Sequence, residues 1–318
     1  MVGRVTNMSV VVPATDDPPT LGRCVAAIRA SHQPPDELIV VTDAGLSAAA
    51  ARNRGAADAS GDVVVFVDAD VEVHPDALGR IRSRFDEEPA LGAVFGSYDD
   101  APADRRLVSA FRNLLHHHVH HHGAGPAETF WTGLGAVRRP VLLAVGGFDA
   151  DRYPHPSIED IELGDRLRRA EHPVALDPTI LGTHLKTWTL RSMVATDFAR
   201  RAVPWISLQV RAGRPSRTLN CGWRHRLSAL ATVVAVVAGA LALAPLAVAG
   251  LTALVGLNAG FYGLLVRRLG PLQAAAGVAL HGLHHLVAVA AIPVGVAAGL
   301  RARLSWLPAL APARGIDG

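Results

Sequence analysis

Lysine occurs once in 318 residues, at Lys186, and cysteine twice, at Cys24 and Cys221. Two cysteines far apart in the chain and without ligand spacing exclude a disulfide framework and a thiolate zinc site, and they fit a reducing compartment. The first 17 residues, MVGRVTNMSVVVPATDD, hold too short an apolar run and no small-residue cleavage site for a secretory signal. No internal repeat or low-complexity linker is present, and no aromatic-basic motif accompanies the formal charge of +3. That combination argues against a nucleic-acid partner. The excess positive charge gathers at Arg200, Arg201, Arg211, Arg214, Arg217, Arg224 and Arg226, where anionic membrane lipids are the expected counter-charge.

Charge is also missing from residues 227–266, LSALATVVAVVAGALALAPLAVAGLTALVGLNAGFYGLLV. That run is about twice the ~20 residues needed to cross a bilayer and predicts two crossings turning near Ala244-Pro245. Residues 272–300 predict one tilted crossing, or a re-entrant pair broken at Pro293. About three transmembrane helices are therefore expected. Arg267 and Arg268, with the arginines before residue 227, place the large domain in the cytosol of a multi-pass protein of the cell (inner) membrane, whereas Arg301 and Arg303 fit less well if the third segment crosses once. Residues 189–213 mix apolar side chains with arginines as an interfacial amphipathic helix does. The expected division is a domain over 1–188, an interfacial helix and basic linker over 189–225, and a transmembrane region with a short tail over 226–318.

Before that region, short Val- and Ile-rich strands alternate with helices: MSVVVPA (8–14), TLGRCVAAIRAS, ELIVVTD (37–43), LSAAAARNRGAADA (46–59) and DVVVFVDAD (62–70). Continuous apolar strands between helices predict an α/β fold, a parallel sheet covered on both faces whose ligands bind beyond the carboxyl ends of the strands. A helix from about Pro75 to Glu87 and a strand near 91–98 continue the alternation. A second helix runs from about Arg105 to His122, and ETFWTGLGAVRR reads as a strand pair or extended segment. An amphipathic helix, SIEDIELGDRLRRAE (157–171), follows with Ser157 as its cap.

Asp68-Ala69-Asp70 ends the third strand, so two carboxylates leave a rigid sheet edge together. Hard divalent cations, Mg2+ or Mn2+, prefer such oxygen ligands combined with substrate phosphates, although acidic residues also end strands for structural reasons. In order, SVVVPA, ELIVVTDAG, ARNRGAADASGDVVVFVDADVEVHPDAL, FWTGLGAVRR, VGGFD and IEDIELGDRLRR resemble the family 2 glycosyltransferases over residues 8–205. These are inverting enzymes of GT-A fold, a Rossmann-like nucleotide-binding sheet, that use nucleotide-sugars.

The resemblance implies donor-binding roles for Pro13, Ala14, Asp43, Arg52 and Asp68, with the Arg52 fork on the diphosphate. It implies a divalent cation on Asp70, with His184 as an additional candidate and Lys186 on phosphate. Thr42-Asp43-Ala44-Gly45 departs from the family's acidic pair with Gly-Ser, which leaves the base preference open. Asp160 matches the family's general base, although Glu159-Asp160 also reads as an acidic first helical turn. Trp131, Gly133, Gly147 and Glu159 match the acceptor region, with a core role for Trp131 as the other reading.

The implied activity is a metal-dependent inverting transfer of one sugar from a nucleotide-diphosphate donor to a lipid-linked or membrane-proximal acceptor. A processive polysaccharide synthase and a non-catalytic nucleotide-sugar-binding scaffold are the alternatives. Histidines fill six of the seven positions 116–122. Consecutive imidazoles spread around a helix, so the run is expected to face solvent or headgroups, or to contact an anionic acceptor, rather than to bind zinc.

Overall fold

The structure, a computed structural model, describes residues 6–216 and 219–304. Arg217 and the tail from 305 to 318, assigned above to the arginine set and the membrane region, lie outside them. Strands β1 (Met8–Pro13), β2 (Glu37–Val41) and β3 (Val63–Val67) alternate with helices α1 (Leu21–Arg29) and α2 (Ala48–Asp58). After them come β4 (Val71–Val73), α3 (Ala77–Glu87), β5 (Ala93–Tyr98), α4 (Leu107–His122), β6 (Gly125–Pro126) and β7 (Leu134–Arg138). Next are α5 (Arg139–Ala144), α6 (Glu159–Arg169) and β8 (Val174–His184).

The sheet order is β2-β1-β3-β7-β5-β8-β4, with β6 added to β8. Successive strand side chains point to opposite faces, so each central strand feeds two cores. Val10, Val12, Val63 and Val65 pack with Ile28, Ile81 and Phe85 on one face. Val11, Val64 and Phe66 pack with Phe95, Phe130, Leu163 and Leu167 on the other. Burial of each large side chain here contributes about 1.5–3 kcal/mol.

The sheet is not parallel throughout, as expected from the alternation. β1 runs parallel to β2 and β3, and β5 to β8. β7, however, runs antiparallel between β3 and β5, and β4 and β6 run antiparallel to β8. Leu134–Val137 are all buried, and a fully apolar strand carries no signal of direction in its periodicity. β8 gave no sequence signal, because Asp177 and Pro178 interrupt it; the sheet absorbs them by a register shift in which Phe95 pairs Leu176 but Ser97 pairs Leu181.

Helix α6 lies directly on the segment before β7. An ideal Cβ at Gly164 would fall 2.3 Å from the Phe130 nitrogen, inside backbone rather than against a movable side chain. Gly164→Ala is therefore expected to destabilise the protein by on the order of 1–3 kcal/mol, read as a lower unfolding midpoint in urea. Ser157 does not cap this helix. The cap position is Ile158, while the Ser157 N–H donates to Glu159 Oε2 at 2.7 Å and its hydroxyl donates to the Arg200 carbonyl at 2.7 Å.

Beyond β8 the chain is helical: α7 (Leu190–Ala195), a π-helical segment (Thr196–Ala202), α8 (Val203–Ala212), a 3-10 turn (Leu219–Cys221), α9 (Trp223–Ala240), α10 (Ala244–Leu257), α11 (Ala259–Leu269) and α12 (Pro271–Leu304). The turn between α9 and α10 falls where the sequence predicts it. α12 passes through Pro293 as one helix, so no re-entrant break forms there. Among the described residues α12 is the one helix long and apolar enough to cross a membrane. α10 and α11 meet that test only together, and they bend by 74°. Ile206 and Val210 of α8 close over Gly295 and Gly299 of α12, so the segment expected at the interface packs on the longest helix.

Candidate active site

Three elements bring carboxylates together at the carboxyl end of β3. Asp68 leaves the strand with its N–H held by the Gly133 carbonyl at 3.2 Å. Arg52, on the buried side of α2, divides its fork: Nη2 donates to Asp68 Oδ1 at 2.7 Å and Nη1 to Glu159 Oε1 at 2.9 Å. Glu159 and Asp160 open α6. Asp160 Oδ1 accepts from the Ile161 N–H at 2.8 Å and Oδ2 from the Thr132 N–H at 3.3 Å. Burial, and then the neighbouring Glu159 charge, push the Asp160 carboxyl up to about 6, against the opposing pull of Arg52.

Asp70 meets the end of β8 because β4 pairs with that strand in the register Val71↔His184. Its carbonyl accepts from the Leu185 N–H at 2.8 Å. Asp70 Oδ2 faces His184 Nε2 at 3.7 Å and Lys186 Nζ at 3.9 Å. Burial opposes ionisation of Asp70, but His184 and then Lys186 hold its carboxyl below the usual range.

Beside the carboxylates stands a wall of rings. Tyr98 stacks on His184 at 4.2 Å between centroids and meets His116 at 4.3 Å and Trp131 at 4.9 Å. Trp131 packs against the two cores and also lines the cavity. The histidine helix is mostly covered rather than solvent- or headgroup-facing, with β5 on one side and α11 and α12 on the other, and of its six imidazoles only His122 is exposed. His120 Nδ1 bonds the Gly96 carbonyl at 2.9 Å and His117 Nδ1 the Tyr98 carbonyl at 2.9 Å, while His118 packs on Phe261. Burial lowers the His120 imidazole to about 4, so it is neutral at physiological pH.

These groups share one cavity of about 1170 Å³. Arg52, Asp68, Asp70, Trp131, Glu159, Asp160, His184 and Lys186 all line it; Pro13, Ala14, Asp43, Gly133 and Gly147 do not. The cavity continues past Arg112, Arg200 and Arg201 to side chains of α9 and α12.

Residues 44–146, which include Arg52, Asp68, Asp70 and Trp131, match the family model described as Glycosyl transferase family 2. Over these residues, about a third of the chain, the protein is similar to the family 2 glycosyltransferases. Among solved structures, a mannosyltransferase from Pyrobaculum calidifontis in complex with GDP-Man and Mn2+ is similar at 18% identity and TM-score 0.51, over 95% of this chain and 88% of that one. Glucosyl-3-phosphoglycerate synthase from Mycobacterium tuberculosis, solved with Mn2+, UDP-glucose and glycerol 3-phosphate, is similar at 21% identity and TM-score 0.44, over 66% and 82%. A comparison with curated proteins gave no match.

Arg52, expected to hold the donor, has a carboxylate at each end of its fork. Only 6% of its side chain is exposed. Arg52→Ala would strand Glu159, itself 6% exposed, without a counter-charge. The expected cost is about 3–5 kcal/mol, read as a lower denaturation midpoint by tryptophan fluorescence.

Asp43 lies in the exposed turn after β2, where its Oδ1 accepts from the Gly45 N–H. Gly133 sits under the Trp131 ring, where an ideal Cβ would be 2.1 Å from that ring. Gly147 adopts φ +65° in the turn after α5, against Asn53.

Among the described residues no group of three or more His, Cys, Asp or Glu side chains is arranged to hold a metal. The Asp70 oxygen and His184 nitrogen nevertheless face each other beyond hydrogen-bond distance, with Asp68 on the same strand end. A hard cation commonly takes one or two carboxylates from protein and the rest from substrate phosphates and water, so this pair fits it.

Sequence reasoning missed Tyr98, Thr132, Arg112, Arg200 and Arg201 as cavity residues. Tyr98 ends a sheet strand, which is itself a binding signal in α/β folds. Arg112, His116 and His120 recur at four-residue spacing, the signature of one helix face.

Proposed function

We propose that the protein is a membrane-anchored, metal-dependent inverting glycosyltransferase. It moves a sugar from a nucleotide-diphosphate donor to a lipid-linked or membrane-proximal acceptor. The observation that carries the reading is Asp160: a carboxylate tuned to about 6 in the same cavity as Asp68 and Asp70. A general base works best with a pKa near the operating pH, and in a single displacement it takes the proton of the attacking acceptor hydroxyl. Thr132 and Ile161 orient its two oxygens, and the Arg52–Glu159 pair sets the charge beside it.

Asp70, with Asp68 and His184 beside it, would hold a divalent cation, as the similarly folded mannosyltransferase was solved with Mn2+ and GDP-Man. Such an ion supplies Lewis-acid neutralisation of a departing nucleoside diphosphate. Lys186 contributes a mobile cation at the same end, half exposed and within reach of phosphate oxygens. Trp131, only partly buried on the cavity wall, offers ring surface suited to sugar C–H groups, and Tyr98, buried against His184 and His116, backs it.

Membrane attachment is supported by α12, whose 34 residues span ~51 Å against the ~30 Å hydrocarbon core. Leu241, Leu243, Leu246, Val248 and Leu251 around α10 are each at least half exposed, an apolar surface that suits lipid rather than water. This reading places the protein in the cell (inner) membrane with the transferase domain cytosolic. Nucleotide release from a donor panel, measured in membranes with Mn2+ and a lipid extract, followed by mass analysis of the product, is the test. Release with a singly glycosylated lipid is expected; no release with any donor would point to a binding scaffold.

A further inference from the structure

We infer that Arg200 and Arg201 form a phosphate subsite, and that the cavity beyond them receives the apolar chain of a phosphate-bearing amphiphile. With Asp160 as the base, that phosphate anchors the molecule and the attacking hydroxyl belongs to another part of it, such as a sugar already on the lipid phosphate. Calling the molecule the acceptor rests on the transfer reaction proposed above, and the subsite itself rests on the cavity.

The other arginines of the cavity are already engaged. Arg52 holds two carboxylates, and Arg112 pairs with Asp197 at 2.7 Å and lies 4.9 Å over the Trp188 ring. Arg226 donates to the Cys221 and Ser216 carbonyls. Arg200 and Arg201 line the same cavity, and among the described residues neither has a carboxylate at ion-pair distance. Asp197, three residues before Arg200 in the same segment, is held by Arg112 and His284 at 2.7 and 2.9 Å. Two arginines consecutive in sequence, both on the wall of one cavity and without a carboxylate at ion-pair distance, suit the charge of a phosphate.

Their position is set by two features. They belong to the π-helical segment Thr196–Ala202, a rare geometry that occurs mostly at functional sites. The Arg200 carbonyl accepts from the Ser157 hydroxyl at 2.7 Å, which ties this segment to the start of α6, three residues before Asp160. A phosphate on the arginines would therefore sit at a set distance from the candidate base, and apart from the Asp70 end, where Lys186 stands.

Past the arginines the wall turns apolar, with Leu230 and Val233 of α9 and Ala288, Val289 and Ile292 of α12. Leu230 and Ile292 are 59% and 48% exposed, so the cavity opens onto the outer apolar surface of the helices. Inorganic phosphate would leave this wall unused. A neutral lipid would leave both guanidiniums unpaired. A phosphate carrying an alkyl or isoprenoid chain satisfies both halves.

The test uses the purified full-length chain in detergent and isothermal titration with farnesyl phosphate, farnesol and inorganic phosphate. Farnesyl phosphate is expected to bind at least tenfold more tightly than either of the others. Arg200→Ala with Arg201→Ala should weaken farnesyl phosphate at least tenfold, with GDP and UDP binding in Mn2+ unchanged, and the corresponding lysine pair should restore part of the loss. Val233→Trp, which fills the apolar wall, should weaken farnesyl phosphate and spare the nucleotides.

Equal binding of farnesol, or of inorganic phosphate, would overturn the proposal, the latter by marking a free-phosphate site. So would retained farnesyl phosphate affinity in the double alanine or Val233→Trp variant, or a loss of nucleotide instead, which would give the arginines to the donor. Arginine-dependent farnesyl phosphate binding without any sugar transfer would keep the subsite and remove the transferase reading. Transfer without such binding would do the reverse.

Discussion

Asp160→Asn is expected to abolish sugar transfer, lowering kcat by at least about a thousandfold while KM for the donor changes little. The amide keeps the shape of the carboxyl group and can still accept from Ile161 or Thr132, but it cannot take a proton. In the unsubstituted protein the rate should rise about tenfold per pH unit up to about 6 and level off above, since only ionised Asp160 is a base.

The same substitution should not weaken the fold at neutral pH. The Asp160 carboxyl titrates higher in the folded chain than the ordinary carboxyl value, so the folded state binds the proton more tightly. Its contribution to stability is fully present below about pH 4 and is lost as pH rises through about 6. At pH 7.5 Asp160→Asn removes a charge that burial disfavours and is expected to raise stability by on the order of 1–3 kcal/mol. A dead enzyme with a raised melting temperature would separate this role from a structural one. A small loss of transfer would mean that the acceptor oxygen is already ionised, and the base role would fall.

Asp70→Ala is expected to abolish metal-dependent turnover by a similar factor, about a thousandfold, with little change in unfolding midpoint. Its side chain is 24% exposed, and its approach to His184 at 3.7 Å is beyond hydrogen-bond distance, so the fold loses little. What disappears is the carboxylate that balances His184 and Lys186 and would hold the cation. Mn2+ titration of activity and of nucleotide binding is the measurement. Saturable Mn2+ activation in the variant, at the concentration that serves the unsubstituted protein, would remove Asp70 from the metal site.

The Asp-x-Asp element and the Glu-Asp element were legible because each stands at an element boundary marked by periodicity: five consecutive apolar residues before Asp68, and a helical pattern after Glu159. The partner of each was not. Arg52 reads in sequence as a donor ligand, yet its fork closes on Asp68 and Glu159, which lie 16 and 107 residues away. Likewise the histidine run gives three equivalent pairs on paper. Only the packing of α4 between β5 and the later helices separates His116 and His120, toward the cavity, from His118, toward Phe261.

By itself, then, the sequence determined the alternating elements of the first three strands, the acidic ends of β3 and α6, and the concentration of apolar residues after position 226. Those are local properties, carried by side-chain periodicity and composition within a few turns of chain. The antiparallel insertion of β7, the meeting of Asp70 with His184 and Lys186, and the extension of the cavity between Arg200, Arg201 and the helices α9 and α12 were decided only by tertiary structure. Each depends on strand register or helix docking between segments roughly thirty or more residues apart, and the direction and register of an all-apolar strand leave no trace in its own residues.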